Sequence, residues 1–302
     1  MSRWIKRIGY TLGGLVALAL VALCAVYALS EWRFRRSYTV RPEQVAVSTD
    51  SAVIARGEHV VSAIAGCADC HGDGLKGNVM LDAPPMGRLV ALNLTKGEGG
   101  VGAQLTPALI ERAVRHGVGI DGRALRIMPA DELQYLTDDD LRAVVSYVMQ
   151  LPAVNNTLAP SHLMLLPRAL MVAGVFPVLA AERLSKEPGK PMTVSPSPTA
   201  EYGAYVAQVG GCKGCHGPGL SGGKIPAGDP SWGPAANLTP SGELGTWTEA
   251  QFVSTLRTGT RPNGFALKDP MPWKTIGRMT DDELHALWLY LRSVPPREFG
   301  NR

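Results

Sequence analysis

The sequence predicts a mostly α-helical protein, with two tandem copies of one domain behind an N-terminal helix long enough to cross a membrane. Three observations carry that expectation. The pentapeptide Cys67-Ala68-Asp69-Cys70-His71 recurs with the same spacing as Cys212-Lys213-Gly214-Cys215-His216. A train of shorter matches follows each copy in the same order. Ahead of both, the chain runs from Gly9 to Ser30, 22 residues, without a charge.

At 1.5 Å per residue, a helix over that run spans a hydrocarbon core of about 30 Å. Trp4, Tyr10, Tyr27 and Trp32 flank or end it, as interfacial aromatics do. The run exceeds the usual h-region of a cleaved signal peptide, so an uncleaved anchor is expected although Ala28-Leu29-Ser30 would pass as a cleavage site. Charge does not orient it. Arg3, Lys6 and Arg7 precede the helix, and Arg33, Arg35 and Arg36 follow it.

C-x-x-C-H is the signature of c-type haem attachment. Two thiols three positions apart can each join one vinyl group, and the adjoining imidazole then lies beneath the ring as an iron ligand. A zinc half-site would need a second C-x-x-C nearby, and a thioredoxin-like pair has no use for the trailing His. Two covalently bound haem c groups are therefore expected, on Cys67, Cys70 and His71 and on Cys212, Cys215 and His216. Haem attachment takes place outside the bacterial cytoplasmic membrane, which settles the orientation: anchor in that inner membrane, haem domains in the periplasm. Cys24 alone remains, so no structural disulfide is expected.

The repeat extends well past the cysteines. Asn93-Leu94-Thr95 matches Asn237-Leu238-Thr239, Arg115 matches Arg257, Met128-Pro129 matches Met271-Pro272, and Thr137–Leu141 matches Thr280–Leu284. The offset drifts only between 142 and 145, as loop lengths do. Within each copy, a first helix is expected around Ser51–Ala65 or Ala200–Val209. A second is expected from Thr106-Pro107 or Thr248 to the Gly at 117 or 259. A third begins at Thr137 or Thr280, with N-cap residues and C-terminal glycines as punctuation. Apolar positions at helical spacing in the third helix read as core.

A six-coordinate haem needs a ligand opposite the His. Met128 lies 57 residues after His71 and Met271 lies 55 after His216, each followed by a Pro that restricts the backbone. Met80, Met86 and Met279 compete, but only Met128 and Met271 occupy equivalent places. Met ligation raises the reduction potential relative to bis-His. His59 and His116 have no His counterpart in the second copy and read as surface or packing residues. Trp273 is a candidate neighbour of the haem edge.

Between the copies, Leu163 to Ala181 is apolar but broken by Pro167, Arg168, Gly174 and Pro177, so an interfacial, docking or buried packing segment is expected rather than a second span. Lys186 to Ala200 is rich in Pro and Ser, a linker. Net charge is +4, with no basic block interleaved with aromatics, which excludes nucleic acid as an expected partner. The 34 Gly and 23 Pro in 302 residues suit loop-rich domains wrapped around a large prosthetic group.

With both C-x-x-C-H motifs, both Asn-Leu-Thr steps, both Met-Pro loops and Met279–Leu284, residues 50–297 resemble the membrane-associated cytochrome c subunits of periplasmic alcohol, gluconate and related dehydrogenases. Those subunits typically carry three C-x-x-C-H motifs where this chain has two, and often a cleaved signal where this chain has an anchor. The resemblance implies two tandem cytochrome c-like domains, residues 37–152 and 200–302, joined by 153–199 and preceded by the anchor, 1–36. It implies electron transfer without substrate chemistry, from a dehydrogenase or other redox protein to quinone, another cytochrome or a terminal oxidase. The competing class is a dihaem enzyme of peroxidase or thiosulfate-oxidising type, which requires one open haem site.

Overall fold

The computed structural model describes residues 3–229 and 231–301. Its first helix, α1 (Arg3–Arg35), stands clear of everything else until its end, where Ser30 and Phe34 become buried. The first copy then runs through α2 (Ser51–His59), which continues as a π-helical turn at Val60–Ile64, and α3 (Cys67–His71). After a hairpin come α4 (Pro107–His116), α5 (Ala130–Leu133) and α6 (Asp138–Met149). The middle segment contributes α7 (Leu165–Val172) and α8 (Ala180–Leu184). The second copy repeats the order as α9 (Ala200–Val209), α10 (Cys212–His216), α11 (Glu249–Thr258), α12 (Trp273–Ile276) and α13 (Asp281–Ser293).

The caps fall where the sequence puts them. Thr106 and Thr137 accept from the backbone N–H of Leu109 and Asp140, while Thr248 with Gln251 and Thr280 with Glu283 form capping boxes. In each copy the first and third helices cross at a glycine. A Cβ at Gly57 would stand 2.1 Å from the Ala143 carbonyl oxygen, and one at Gly203 would stand 1.9 Å from that of Ala286. The crossings are therefore backbone on backbone, and they set the register between copies: Gly57 corresponds to Gly203, Arg56 to Tyr202, His59 to Tyr205.

That register explains the domain interface. Glu283, at the start of α13, accepts from Arg56 Nη1 (3.0 Å) and meets His59 Nε2 at 2.6 Å, both from the first copy. Asp140, its counterpart in α6, accepts from Tyr205 of the second copy (2.5 Å) and from Arg56 of its own (2.7 and 2.9 Å). His59 is thus an interface residue, and its counterpart is an aromatic hydroxyl instead of a second His. Burial pushes the Tyr202 hydroxyl up to about 12, and hydrogen bonds from His59, the Thr280 amide and Arg56 outweigh burial to hold Glu283 down at about 2.

The first copy carries structure that the helical expectation omits. Strands β1 (Asn78–Ala83) and β2 (Gly87–Ala91) form an antiparallel hairpin, and β3 (His162–Leu163) from the middle segment pairs with β2. Asn78–Ala83 lies mostly exposed and shows no alternation, which is why periodicity did not reveal it. The middle segment is a packing element with one free side. Leu163, Met171 and Leu179 are buried with Phe34 of α1, while Leu165 and Leu166 remain exposed. Arg33 pairs with Glu182 and donates to the Met171 carbonyl (2.6 Å), and Arg168 donates to Ser30 Oγ (2.8 Å). These contacts hold the end of α1 against α7.

Candidate cofactor sites

Both C-x-x-C-H motifs form one-turn helices, α3 and α10, each entered through a left-handed glycine, Gly66 (φ 60°) and Gly211 (φ 68°). The turn brings the two cysteines of each motif to one side. His71 Nδ1 lies 2.8 Å from the Leu92 carbonyl oxygen and His216 Nδ1 lies 2.7 Å from that of Ala236. A carbonyl only accepts, so Nδ1 carries the proton and Nε2 keeps its lone pair for a metal. Burial also lowers the His71 pKa, favouring the neutral ring.

The two carbonyls are themselves held in place. Leu92 and Ala236 immediately precede the Asn-Leu-Thr steps. Asn93 Oδ1 accepts from the Thr95 N–H (2.9 Å) and its Nδ2 donates to the Val154 carbonyl (2.8 Å). Asn237 does the same with Thr239 (2.9 Å) and Arg297 (2.8 Å). The step that serves as a repeat marker in the sequence therefore orients the imidazole of each C-x-x-C-H motif. The acceptor carbonyls were not singled out from sequence, although their place one residue before a repeated Asn was a usable signal.

None of the five cysteines is in a disulfide among the described residues. Burial pushes Cys67 up to about 12 and Cys212 up to about 11, the reverse of the lowered pKa of a thioredoxin-like pair. Among the described residues no group of three or more His, Cys, Asp or Glu converges to hold a metal ion.

In the first copy, Cys67, Cys70, His71 and Met128 line a single cavity of about 590 Å³. That volume lies within the range of cofactor sites, and its apolar walls include Val61, Leu94 and Leu133. Met80, on β1, faces the same cavity; Met86 does not line it. Phe34, at the foot of α1, is part of the wall, and Arg126 stacks over its ring at 4.3 Å.

In the second copy Cys212, Cys215, His216 and Met271 occupy the equivalent elements. Both methionine loops share one backbone path. The Met128 carbonyl accepts from Ala130 (2.8 Å) and that of Met271 from Trp273 (2.9 Å), and Pro129 and Pro272 start α5 and α12. A matched arginine clamps the exit of each loop. Arg115 donates to the carbonyls of Gln134 (2.9 Å) and Leu136 (3.1 Å) and to Asp138 (2.6 Å). Arg257 donates to the Gly277 carbonyl and to Asp281 (2.7 Å). Met279 is buried in the core, and residues 217–270 contain no methionine. Trp273 packs on the Gly259 turn, where an added Cβ would come within 2.6 Å of its ring.

The two sites also meet across the interface. A Cβ at Gly66 would stand 3.7 Å from Thr275 of α12, and one at Gly211 would stand 3.7 Å from Glu132 of α5. Thr275 further donates to Asp69, between the first pair of cysteines. Each attachment helix thus lies against the short helix that follows the other copy's Met-Pro step.

Comparisons agree with this geometry. Residues 52–148 match the family described as cytochrome c oxidase, cbb3-type, subunit III, and residues 200–295 match the cytochrome c family. The chain is similar to the fructose dehydrogenase cytochrome subunit of Gluconobacter japonicus, 28% identical over 93% of this chain and 60% of that one. It is similar to the alcohol dehydrogenase (quinone) cytochrome c subunit of Komagataeibacter europaeus, 28% identical over 82% and 57%. It is also similar to the gluconate 2-dehydrogenase cytochrome c subunit of Pantoea cypripedii, 25% identical over 82% of this chain and 61% of that one. The chain therefore spans between 57% and 61% of the length of these three relatives.

Proposed function

This chain belongs to the cytochrome c family, carrying two of its domains in tandem, and on that premise we propose that it is a membrane-anchored dihaem electron-transfer subunit. Its donor in this reading is a periplasmic dehydrogenase, and its acceptor is quinone, another cytochrome or a terminal oxidase. The relatives named as cytochrome subunits of fructose, alcohol and gluconate dehydrogenases support the donor, and the oxidase-subunit family of the first domain keeps a terminal oxidase among the acceptors.

The observation that carries the reading is the matched pair of imidazoles, each with Nδ1–H on a fixed carbonyl, the tautomer in which Nε2 carries the lone pair a metal takes. Haem c, when bound, supplies a one-electron iron couple at each site. Cys67 and Cys70, and Cys212 and Cys215, would hold the two groups covalently. His71 and His216 would bind the iron of each group. Met128 and Met271 would supply the other iron ligand, preferred over Met80 because the second copy has no methionine in the corresponding stretch. Arg115 and Arg257 position the loops that carry these methionines. Attachment helices that sit against each other's methionine loops favour intramolecular transfer.

The rival class, a dihaem peroxidase or thiosulfate-oxidising enzyme, needs one vacant axial position. A ferric-state spectrum separates the two. Sulfur-to-iron charge-transfer absorption from both haems is the expected result; a high-spin component from either haem would favour the enzyme.

A further inference from the structure

We infer that the first domain touches the bilayer through a second, non-spanning contact made by the N-terminal turn of α7 and the tip of the β1–β2 hairpin. The inference rests on the reading of α1 as a membrane span.

The span fixes where the bilayer lies, and hydrogen bonds fix α7 against the span. Arg168 stacks over Tyr27 at 5.1 Å and donates to Ser30, while one turn further along α7 the Met171 carbonyl accepts from Arg33. The Arg168 guanidinium also reaches Glu31 and the Phe34 ring, and it donates to the Leu163 carbonyl (3.0 Å), so the entry to α7 lies beside the Tyr27–Phe34 stretch of α1. The first residues of α7 are therefore placed close to Ser30. Ser30 closes the uncharged run of the span, so the entry to α7 lies at interfacial depth.

At that level the protein presents side chains that water does not favour. Met164, Leu165 and Leu166 are 42%, 43% and 43% exposed. The hairpin tip stands beside them, held by a hydrogen bond from the Met164 N–H to the Met86 carbonyl (3.1 Å). Its Pro84 and Pro85 are exposed and uncharged. The nearest hairpin charges, Asp82 and Arg88, bond to each other at 2.6 Å and so present a neutral pair. An uncharged patch built from two separate segments, continuous with the end of a span, has the composition of an interfacial contact with the headgroup and upper acyl region. Phe34 is buried with Leu163, the residue before Met164, and also walls the first cofactor cavity, so this contact would hold that cavity close to the membrane surface. Among its described residues the second copy forms no equivalent hairpin.

The test is carbene labelling of the full chain in nanodiscs that contain a phosphatidylglycerol with a diazirine in its acyl chain, read by peptide mass spectrometry. The expected adducts lie on 83–86 and 164–166 as well as on 9–29, with none at Phe265, which is 71% exposed on the second domain. The double variant Leu165→Glu and Leu166→Glu, at exposed positions, should reduce hairpin and α7 labelling to that of Phe265 and leave the α1 adducts unchanged. Adducts confined to α1 would overturn the inference while leaving the anchor reading intact. Absence of adducts from α1 would overturn both.

Discussion

The two copies of the domain differ in an instructive way. They share what the proposed haem sites and the helix crossing require: the attachment turn, the carbonyl behind the imidazole, the Asn that holds it, the glycine crossing, the Met-Pro step and the arginine clamp. They differ in what surrounds that kernel. The first copy adds the β1–β2 hairpin, the middle segment packs β3, α7 and α8 against it, and its cavity reaches the foot of α1. The second is pared down, with a bridge between Gly223 and Ala235 among the described residues where the hairpin would be. Even the interface is asymmetric, with Arg56 and His59 on one side and Tyr202 and Tyr205 on the other. Repetition marks the cofactor site; departure from repetition marks where each copy meets something else.

If the kernels are equivalent, Met128→Ala and Met271→Ala should each lower the potential of one haem and open that haem alone to cyanide. Potentiometry with ligand titration reads both effects. A Met128→Ala protein that kept its potential while Met80→Ala lost it would move the first ligand to β1 and break the equivalence.

A smaller effect follows from the crossings. Gly57→Ala and Gly203→Ala each force a methyl group into a carbonyl oxygen, and overpacking of this kind costs about 1–3 kcal/mol. Both variants should melt several degrees below the parent, Gly203→Ala by at least as much as Gly57→Ala, in a thermal melt followed by circular dichroism. An unchanged midpoint would mean the helices can move apart.

Smaller again is the acid response of the interface. Glu283 has a depressed pKa, near 2 against an ordinary 4.5, so its contribution is fully present above pH 4.5 and lost as pH falls through 2. The full shift corresponds to roughly 3 kcal/mol, an upper bound that charge rearrangement will reduce. Glu283→Gln should therefore flatten the stability of the parent between pH 4.5 and 2, measured by denaturant titration. A parallel loss in parent and variant would exclude Glu283 as the acid-sensitive group.

Much of the kernel was legible because its determinants are local or repeated. Thr and Gly punctuate helices within a turn of themselves, and the Met-Pro step stands out because it occurs twice. The remainder depends on partners distant in the chain. The Leu92 and Ala236 carbonyls are backbone atoms with no residue signature of their own. The bond from His59 to Glu283 joins positions 224 residues apart, and it becomes a repeat feature only once Gly57 is seen to match Gly203, since Tyr205 does not resemble His. The docking of α7 on α1 through Arg168 and Arg33 is equally long-range. Apolar residues at 163–181 announced packing without saying which of them face the core.

The central claim is that both kernels hold haem covalently. The most direct measurement is the pyridine haemochrome assay combined with intact mass on the purified protein, beside the variant Cys212→Ala with Cys215→Ala. Two haems per chain in the parent and one in the variant is the predicted result; a colourless parent, a single haem, or an unchanged count in the variant would contradict it.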